Sequence, residues 1–381
     1  MRILVIGNLP PYVLGGAENQ VARLVEAWIR LGHHVEVAGQ RLENGRVQLG
    51  SVEARIHRIR ITDRAGRAGR AATYFLSLAP LLRRLAPHFD VVYTRGFNDA
   101  AICISVLKHW RLLNVPLVAV PINAKGAGDA AFIRSIPGWR SLVPLLNRHT
   151  NAINIIAPAI EPDLVELGIT LPVLSRIPNG IPIQPRVQRG APGAVRKLAW
   201  TGRLSRQKGL DVLLHALAAA RAGGREFVLE LIGTGPEEEN LRKLTAELGL
   251  GACVRFAGRV PVSEVRAHLA AADAFVFPSR YEGMSNSVLE AMEAGLPVVL
   301  THCGGIDTYV DARTGWTCDP EDVPALVGAV NAMLDTPAAE LLAMGQRARD
   351  LVEAEFEIES IARRNVDVLA RAAATHGPRR R

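Results

Sequence analysis

The chain is 381 residues long, 49% hydrophobic and 22% charged, which predicts two or three domains with sizeable cores and excludes a disordered chain. The net charge of +8 is unevenly divided. Residues 1–185 hold 21 Lys and Arg against 12 Asp and Glu, or +9, whereas residues 186–381 hold 24 against 25, or −1. This asymmetry excludes the uniform basicity of a histone-like protein.

The cysteines and the N-terminal residues indicate in which cellular compartment the protein is expected. The run at 3–6 is too short for the apolar core of a signal peptide, and no uninterrupted apolar run approaches the roughly 18 residues that span a bilayer. We expect a cytoplasmic protein, soluble or peripheral on the inner face of the plasma membrane. The cysteines show no C-x-x-C pair and no metal-finger spacing, and we expect them to be buried and reduced; they are Cys103, Cys253, Cys303 and Cys318.

Short apolar segments alternate with amphipathic helical segments, a pattern typical of parallel α/β sheets. In the first half it predicts strands at 3–6, 34–38, 55–60, 91–93, 117–120 and 153–157. Helices are predicted between them at 17–31, 72–85, 100–110 and 162–167. A run rich in Pro and Gly follows at 185–193 and is the best candidate for a linker.

The alternation then restarts. It predicts strands at 197–200, 227–232, 254–256, 274–276 and 298–300, helices at 210–220, 324–334, 338–352 and 360–373, and a frayed tail at 376–381. The fold class is therefore α/β, with two Rossmann-like doubly wound domains at 1–185 and 186–355, followed by a helix and tail at 356–381. Open α/β sheets bind ligands at the carboxyl ends of their strands, so we expect the site in the cleft between the two sheets.

Two glycine-containing loops follow predicted strands and open helices. The first, Gly-Gly-Ala-Glu at 15–18, lets backbone N–H groups approach an anion, although a structural tight turn fits it equally well. The second is Gly-Arg-Leu-Ser-Arg-Gln-Lys-Gly at 202–209. Its Arg203 and Lys208 suit a diphosphate, and the competing interpretation is a pair of solvated surface charges. Neither loop contains the G-x-G-x-x-G or G-K-[ST] patterns.

The most specific pattern lies at 278–292, after the apolar strand at 274–276. Gly283 permits a close approach, and the helix that opens near Ser285 offers free N–H groups. Glu282, before the turn, is placed to accept hydrogen bonds from sugar hydroxyls, and Glu290 is placed to reach a ribose diol. The alternative is a capped helix with an incidental Glu282 and a structural Glu290. A further glycine pair at 304–305 is expected to add backbone donors.

These motifs resemble those of retaining glycosyltransferases of family four, which have the GT-B fold of two Rossmann domains. Glu282 and Glu290 match the E-x7-E motif. G-G-A-E near the start, I-P-N-G at 177–180, G-R-L-x-x-x-K-G at 202–209, G-T-G-P-E at 233–237 and F-A-G-R-V at 256–260 match as well. The resemblance extends from residue 3 to about 370, and it implies that the C-terminal helix at 360–373 crosses back to pack on the N-terminal domain.

The resemblance implies a role for each matched residue. Arg203 and Lys208 would bind the donor diphosphate and stabilise the leaving group, and Glu282 would contact the transferred sugar. These three are the predicted catalytic residues. The predicted donor-binding residues approach the diphosphate (Gly16), line the nucleotide pocket (Gly235), flank the base (Arg259, Val260), offer backbone N–H groups (Met284, Ser285, Asn286) or hold the ribose (Glu290).

The sequence departs from the family pattern at two places. Many relatives carry a His near the reacting sugar, but the corresponding stretch at 120–129 has none. We expect Asn123, Lys125 and Asp129 of this stretch to face the acceptor, with an incidental turn as the alternative. Thr308 replaces the usual Glu after the second glycine pair. No D-x-D motif is present, so we predict no metal site and no cofactor.

The implied function is retaining transfer of a sugar from a nucleotide-sugar, with UDP favoured, to a glycan or lipid-linked acceptor of cell-surface polysaccharide or glycolipid biosynthesis. No carboxylate nucleophile is identifiable, so the resemblance implies metal-independent front-face transfer. The alternatives are another GT-B enzyme, such as a nucleotide-sugar epimerase or a sugar phosphorylase, and a non-catalytic nucleotide-sugar binding protein.

The excess positive charge of the first half concentrates in one segment. Six arginines lie within sixteen residues, opposed by Asp63 alone, and an amphipathic helix follows. They predict an anionic acceptor or docking on an anionic membrane surface, and the alternative is a solvated basic loop. Nucleic acid is excluded as a partner because no binding module is recognisable. The arginines are Arg55, Arg58, Arg60, Arg64, Arg67 and Arg70.

Overall fold

The computed structural model describes residues 1–62, 66–170, 174–186 and 188–375. It divides into two compact units. Unit 1 comprises Met1–Pro182 and Ile358–Arg381, and unit 2 comprises Ile183–Glu357. The boundaries predicted from the sequence lay at 185/186 and 355/356. The tail expected at 376–381 and Val187 of the expected linker lie outside the described residues.

Unit 1 contains an eight-stranded sheet in the order β3-β4-β2-β1-β5-β6-β7-β8. All neighbouring strands pair in parallel except β3, which is antiparallel to β4 at one edge. Strand β3 was not predicted, because its polar Gly-Arg-Val-Gln-Leu stretch lacks a continuous apolar run. The strands are β1 (Arg2–Ile6), β2 (His34–Gly39), β3 (Gly45–Leu49), β4 (Val52–Arg58), β5 (Val91–Arg95), β6 (Leu117–Val120), β7 (Ala152–Ile155) and β8 (Leu174–Arg176).

Helices cover both faces of this sheet, and α2, α3 and α5 pack side by side. Buried Leu, Val and Ile side chains of the central strands form the core, and Ile3, Leu4 and Val5 of β1 are fully buried. The helices α4 and α5 were not predicted. The helices are α1 (Gly16–Arg30), α2 (Gly66–Leu85), α3 (Asp99–His109), α4 (Asp129–Arg134), α5 (Trp139–His149) and α6 (Ile160–Leu167).

Unit 2 contains a parallel six-stranded sheet in the order β11-β10-β9-β12-β13-β14. The first strand of the unit lies in the middle, and the next two strands extend to one side of it while the last three extend to the other. The strands are β9 (Arg196–Thr201), β10 (Phe227–Ile232), β11 (Val254–Gly258), β12 (Ala274–Phe277), β13 (Val298–Thr301) and β14 (Gly315–Cys318).

The helices of unit 2 include two that the sequence analysis missed, α8 and α9. The stretch Glu238–Glu247 is mostly polar and buries only Leu241 and Thr245, so its apolar periodicity is weak. The helices are α7 (Leu210–Ala222), α8 (Glu238–Glu247), α9 (Val262–Ala271), α10 (Asn286–Glu293), α11 (Val323–Asp335) and α12 (Ala338–Glu355).

The last helix, α13 (Ile358–Thr375), belongs to unit 1. It packs against α1, and the indole N–H of Trp28 donates to the backbone oxygen of Ala362 over 3.1 Å. Its buried face includes Ile361 and Leu369. The prediction of a C-terminal helix that returns to the N-terminal domain is confirmed, as is the fold class of two doubly wound α/β domains.

Candidate functional site

In unit 2, strand order places two of the predicted loops side by side. The order in which successive strands are added to the sheet reverses between β9 and β12. Such a switch point opens a crevice at the carboxyl ends of the strands. Arg203 and Lys208 lie on the loop after β9, and Glu282 lies on the loop after β12. The structure therefore brings Lys208 and Glu282 together from separate parts of the sequence, and Arg203 lies on the same loop as Lys208.

Lys208 and Glu282 form an ion pair at the centre of this crevice. The ammonium of Lys208 lies 2.5 Å from Glu282 Oε1, which also accepts from the buried Ser279 hydroxyl at 2.9 Å and from Gln207 Nε2 at 3.4 Å. Lys208 also lies over the Phe277 ring, 5.2 Å from its centroid. One carboxylate oxygen thus holds the cation, while Oε2 accepts no hydrogen bond from the described residues.

Arg280 holds the two loops together. Its guanidinium donates two hydrogen bonds, of 3.0 and 2.8 Å, to the Asp211 carboxylate at the start of α7. Burial tends to raise the pKa of Asp211, but these hydrogen bonds and the charge of Arg280 outweigh it and hold that pKa below its usual value. The backbone N–H of Arg280 donates to the Gln207 carbonyl at 2.9 Å. The loop carrying the cations and the loop carrying the carboxylate are thereby fixed to each other.

Two glycines allow the loops of this crevice to approach closely. Gly209 has a φ of +63°, and a Cβ there would lie 2.0 Å from the Pro278 oxygen. A Cβ on Gly235, in the loop after β10, would lie 2.1 Å from the Leu204 oxygen. Any side chain at either position would push the loops apart.

The other predicted donor residues lie around the same edge of the sheet. Arg203 is exposed and makes no side-chain hydrogen bond or ion pair with the described residues. Arg259 is exposed and Val260 is half-buried, directly after β11. These three residues and Gly235 follow the carboxyl ends of β9, β10 and β11, where a ligand of the crevice would extend away from Glu282.

Helix α10 begins beside Glu282. Ser285 caps it, with its hydroxyl accepting from the Val288 N–H at 3.5 Å. Met284 and Ser285 are buried, Asn286 is the first helical residue, and Glu290 is half-buried one turn further on. The helix N-terminus adds positive potential at the point where the Lys208–Glu282 pair lies.

The glycine pair at 304–305 does not supply the ligand donors expected from the sequence. Both N–H groups already donate to Asp307 Oδ1, over 2.9 and 2.6 Å. The carbonyl of the adjacent Cys303 accepts from the Glu282 N–H at 2.8 Å. Burial, together with the negative charges of Asp307 and Glu282, raises the pKa of the Cys303 thiol. This turn therefore fixes the backbone of Glu282 through the Cys303 carbonyl.

Unit 1 has its own crevice at the corresponding place. The order of its strands reverses between β1 and β5. A cavity of about 160 Å³ opens there at the carboxyl ends of β1, β2 and β5. Its polar lining comes from Asn8, Glu18, Gln40, Arg95 and Asn98. Of these residues, only Glu18 lay in a motif recognised from the sequence, the Gly-Gly-Ala-Glu loop at 15–18, because single polar residues at strand ends form no recognisable motif.

Part of this polar lining is already engaged by the protein. Asn8 Oδ1 accepts from the Gln40 N–H at 3.0 Å, so its amide nitrogen is left to donate. Arg95 is only 7% exposed and donates to Asn179 Oδ1 at 2.5 Å, while its Nε is buried without a partner among the described residues. The cavity therefore favours a ligand rich in oxygen acceptors.

The predicted acceptor residues lie next to the cavity, whose wall includes Ile122. Asn123 is half-buried and the Lys125 side chain is exposed. Asp129 is buried, and it accepts from the N–H groups of Phe97 at 2.6 Å and Ile122 at 2.8 Å. Burial raises its pKa, although these backbone donors partly offset that effect. This geometry favours a loop-bracing role for Asp129.

Gly16 and part of the arginine cluster lie at the same edge of unit 1. Gly16 is the exposed first residue of α1. Arg55 and Arg58 are exposed on β4, and Arg60 follows that strand. Arg70 Nη2 donates to Gln40 Oε1, in the cavity wall, over 2.9 Å. Arg64 and the side chain of Arg67 lie outside the described residues.

Comparison with known families decides the class. The model for the glycosyl transferase 4-like domain matches residues 15–180, and that for glycosyl transferases group 1 matches residues 195–336. The chain belongs to the GT-B glycosyltransferases of the family-four type. This confirms the family predicted from the glycine loops and from Glu282 and Glu290 of the pattern at 278–292.

Two related enzymes illustrate the range of this family. Glycogen synthase of Mycobacterium tuberculosis is 29% identical over 286 residues, which cover 72% of this chain and 66% of the relative. The GDP-mannose-dependent alpha-(1-6)-phosphatidylinositol monomannoside mannosyltransferase of Mycolicibacterium smegmatis is 36% identical over 155 residues, covering 39% and 40%. Each match therefore spans less than two thirds of the relative.

The fold similarity is more extensive. The structure of Anabaena HepE in complex with UDP-glucose superposes with a TM-score of 0.76 at 18% identity, covering 97% of this chain and 99% of HepE. At this identity the similarity establishes the fold alone. Within the described part of this glycosyltransferase, no helix is long and apolar enough to cross a membrane.

Proposed function

We propose that this glycosyltransferase moves a sugar from a nucleotide-sugar to a glycan or lipid-linked acceptor in the biosynthesis of cell-surface polysaccharide or glycolipid. The observation that carries the proposal is the Lys208–Glu282 ion pair at the switch point of unit 2, in which Glu282 is buried and Lys208 is half-buried. A cation and a carboxylate 2.5 Å apart at the carboxyl edge of a doubly wound sheet suit a ligand with both a diphosphate and hydroxyl groups.

The donor would lie along the carboxyl edge of unit 2. Lys208 and Arg203 would bind the diphosphate, and the N-terminus of α10 would add positive potential. Glu282 would keep Oε1 on Lys208 and present Oε2 to the sugar hydroxyls. Glu290, one turn inside α10, would hold the ribose. Gly235, Arg259 and Val260 would border the nucleotide.

The chemical task is to stabilise the negative charge that develops on the leaving diphosphate. Fixed cations and backbone dipoles do this with little reorganisation. Lys208 is already paired with Glu282, whose Oε1 also accepts from Gln207 and Ser279, so the charge of Lys208 is in place before the bond breaks. We propose metal-independent front-face transfer, in which the acceptor oxygen attacks on the leaving-group side, the glycosyl–phosphate bond breaks, and the acceptor proton passes to the departing phosphate oxygen. The anomeric configuration is then retained.

UDP is the nucleotide that we propose for the donor. HepE forms a complex with UDP-glucose, whereas the mycobacterial mannosyltransferase is GDP-mannose-dependent. UDP and GDP are therefore the two nucleotides to compare. Thr308 stands where the family usually has Glu. Its hydroxyl donates to the Gly305 oxygen at 2.8 Å, which leaves no carboxylate for the nucleotide at this position.

The acceptor would bind in the cavity of unit 1, with Asn123 and Lys125 at its border. The cavity wall offers donors, and Arg58, Arg60 and Arg70 surround the end of β4. This positive charge favours an anionic acceptor, such as a lipid-linked pyrophosphate glycan. The alternative use of the same arginines is contact with an anionic membrane surface.

The decisive experiment is transfer of labelled sugar from UDP- and GDP-sugars to lipid and polysaccharide extracts. We expect a labelled product with retained anomeric configuration by NMR, and its loss in Glu282→Ala. Inversion would contradict front-face transfer. Nucleotide release with no acceptor-dependent product would favour an epimerase or phosphorylase, and nucleotide binding without any turnover would favour a binding protein.

A further inference from the structure

A second surface of unit 1, at the opposite edge of its sheet from the unit 1 cavity, has an unusual combination of side chains. Helices of a parallel α/β unit run antiparallel to the strands, so the last turns of α2, α3 and α5 lie at the amino edge of the sheet. Trp110 caps α3 at that edge and is 60% exposed, and Leu112, two residues later, is 44% exposed. Trp110 is the one aromatic side chain among the exposed large apolar residues of the described chain.

Backbone geometry holds these two side chains outward. The N–H groups of Arg111 and Leu112 donate to the carbonyls of Lys108 and Leu107 over 3.0 and 2.8 Å, the pattern of a Schellman motif. The position between Trp110 and Leu112 is normally Gly, because it requires a left-handed backbone, but here it is Arg111 with a φ of +58°. A charged residue thus occupies a strained position between two exposed apolar residues.

Further cations flank this turn. Helix α3 packs against both α2 and α5, whose last turns contribute Arg83, Arg84 and Arg148. All three arginines are exposed. On the α5 side, the ends of the helices meet directly, since Lys108 Nζ donates to the His149 oxygen at 2.7 Å.

Cations at helix C-termini commonly serve to complement the helix dipole, and that role would explain the arginines alone. It does not explain an exposed Trp and Leu among them. Asp90 is the nearby exposed acid at this edge, and it accepts a backbone N–H of Arg2 at 2.8 Å. The surface therefore combines net positive charge with a protruding aromatic side chain. We name it the basic–aromatic patch and define it as Arg83, Arg84, Trp110, Arg111, Leu112 and Arg148.

We propose that the basic–aromatic patch docks unit 1 on an anionic lipid bilayer, with Trp110 and Leu112 at the headgroup level and the arginines against anionic headgroups. Trp favours this interfacial depth because its ring is apolar and its N–H is polar. Arg and Lys side chains near an anionic surface each strengthen binding about fivefold. The charge of the patch is complementary to such a surface, and its apolar part consists of the exposed Trp110 and Leu112, which is enough for shallow insertion only.

This proposal differs in place from membrane contact through the arginines at 55–70. Strands of unit 1 are about five residues long, so the patch lies about 17 Å from the opposite, carboxyl edge. A bilayer docked on the patch would leave the unit 1 cavity facing away from it. Insofar as the proposed function holds, the acceptor's reacting end would then be a water-exposed glycan terminus.

Vesicle binding by the full-length protein tests the proposal without requiring any activity. The probes are vesicles of phosphatidylcholine alone and of phosphatidylcholine with about one third phosphatidylglycerol, at low and high salt. We expect binding to the anionic vesicles only, weakened by salt, with a blue shift of Trp emission that Trp110→Phe removes while binding is kept. Equal binding to both vesicle types, or no binding, would overturn the proposal.

Substitutions locate the surface. Arg111→Gly removes a cation at a position whose backbone suits Gly, so folding is preserved, and we expect about a fivefold loss of vesicle affinity. Trp110→Ser with Leu112→Ser should lose more. Leu76→Ser is the matched control, since Leu76 is 71% exposed outside the patch. An unchanged affinity in both patch variants, with a loss in Arg58→Ala/Arg60→Ala, would assign docking to the other edge and refute the proposal. A change in oligomeric state without a change in vesicle affinity would identify a protein contact and also refute it.

Discussion

At the scale of single residues, the account depends on Glu282 and on what holds it. Three side chains donate to its Oε1, namely Lys208, Gln207 and Ser279, and its backbone N–H is tied to Cys303. A carboxylate braced on one oxygen and its backbone has little freedom to rotate. The site therefore presents a preorganised cation and a fixed acceptor to an incoming ligand.

Replacing Lys208 by Met should reduce kcat/KM for nucleotide release from the donor by about 10² to 10³, because it removes a fixed charge from the leaving group. Lys243→Met is the matched control, since Lys243 lies exposed on α8. Steady-state kinetics with UDP-glucose or the donor found by the transfer assay measures the effect. A loss below tenfold would mean that Lys208 is a structural partner of Glu282 only.

Replacing Ser279 by Ala should lower kcat about tenfold and leave nucleotide affinity nearly unchanged, because it removes one neutral hydrogen bond to a charged group. Ser279 is fully buried and holds Glu282 without reaching the ligand crevice. Ser263→Ala, on the exposed face of α9, is the control. A loss in nucleotide affinity with constant kcat would contradict a positioning role.

The sequence predicted Arg203, Lys208 and Glu282 as one group, but only by resemblance and motif. Their contacts could not be read from it, since the Lys208–Glu282 pair spans 74 positions and arises from strand order. Ser279 and Gln207 lay within the quoted motifs without a role. The occupied N–H groups at 304–305 could not be foreseen either, because they depend on the rotamer of Asp307.

At the scale of elements, the long apolar segments were the most predictable. The predicted strand at 117–120 coincides with β6, and the predicted helix at 72–85 ends where α2 ends. The elements that were missed are polar or pack a narrow face, such as α8 and the edge strand β3. β3 is held by its pairing with the adjacent strand β4, a backbone contact that apolar periodicity does not register.

Gly209→Ala should lower the free energy of unfolding by more than about 1 to 2 kcal/mol, because a left-handed backbone is strained for Ala and its Cβ would meet the Pro278 oxygen. Gly224→Ala is a matched control: Gly224 has a φ of +82° with no atom within 4 Å of a Cβ. Urea denaturation of both variants separates backbone strain from loop contact. Equal losses would contradict the importance of the approach to Pro278.

The hydrogen bond between Glu36 of β2 and His57 of β4 should make the free energy of unfolding depend on pH. Burial tends to raise the pKa of Glu36, but hydrogen bonds from His57 and His34 outweigh it and lower that pKa below 4.5. The unfolded chain therefore binds the proton more tightly, so the free energy of unfolding should fall as the pH decreases below 4.5. Acid denaturation should show a shallower fall in Glu36→Gln. An identical slope in both proteins would exclude Glu36 as the cause.

At the scale of the whole molecule, the charge asymmetry and the two units have separate explanations. In unit 2, Arg203 and Lys208 are the two cations that we propose bind one diphosphate, while the excess positive charge of unit 1 lies both near its cavity and in the basic–aromatic patch. The sequence predicted the division into two sheets from the restart of the strand pattern. It did not reveal the patch, because Arg83, Trp110 and Arg148 come together only when α2, α3 and α5 pack.

Unit 2 is formed from one continuous segment, whereas unit 1 needs α13 from beyond it. We therefore expect residues 183–357, expressed alone, to unfold cooperatively and to bind nucleotide. Residues 1–182 alone should expose the surface that α13 covers beside Trp28 and aggregate. Calorimetry of the two fragments measures this. A molten 183–357 fragment would contradict an independent core.

The most direct test of the central claim is the thermal stability of the full chain with a panel of UDP- and GDP-sugars, measured on the natural protein and on Lys208→Met. The account predicts that at 100 times its Kd one nucleotide-sugar adds about 2.7 kcal/mol to the free energy of unfolding, and that most of this increase is lost in Lys208→Met at the same concentration. No stabilisation by any nucleotide-sugar, or the same stabilisation in both proteins, would contradict it.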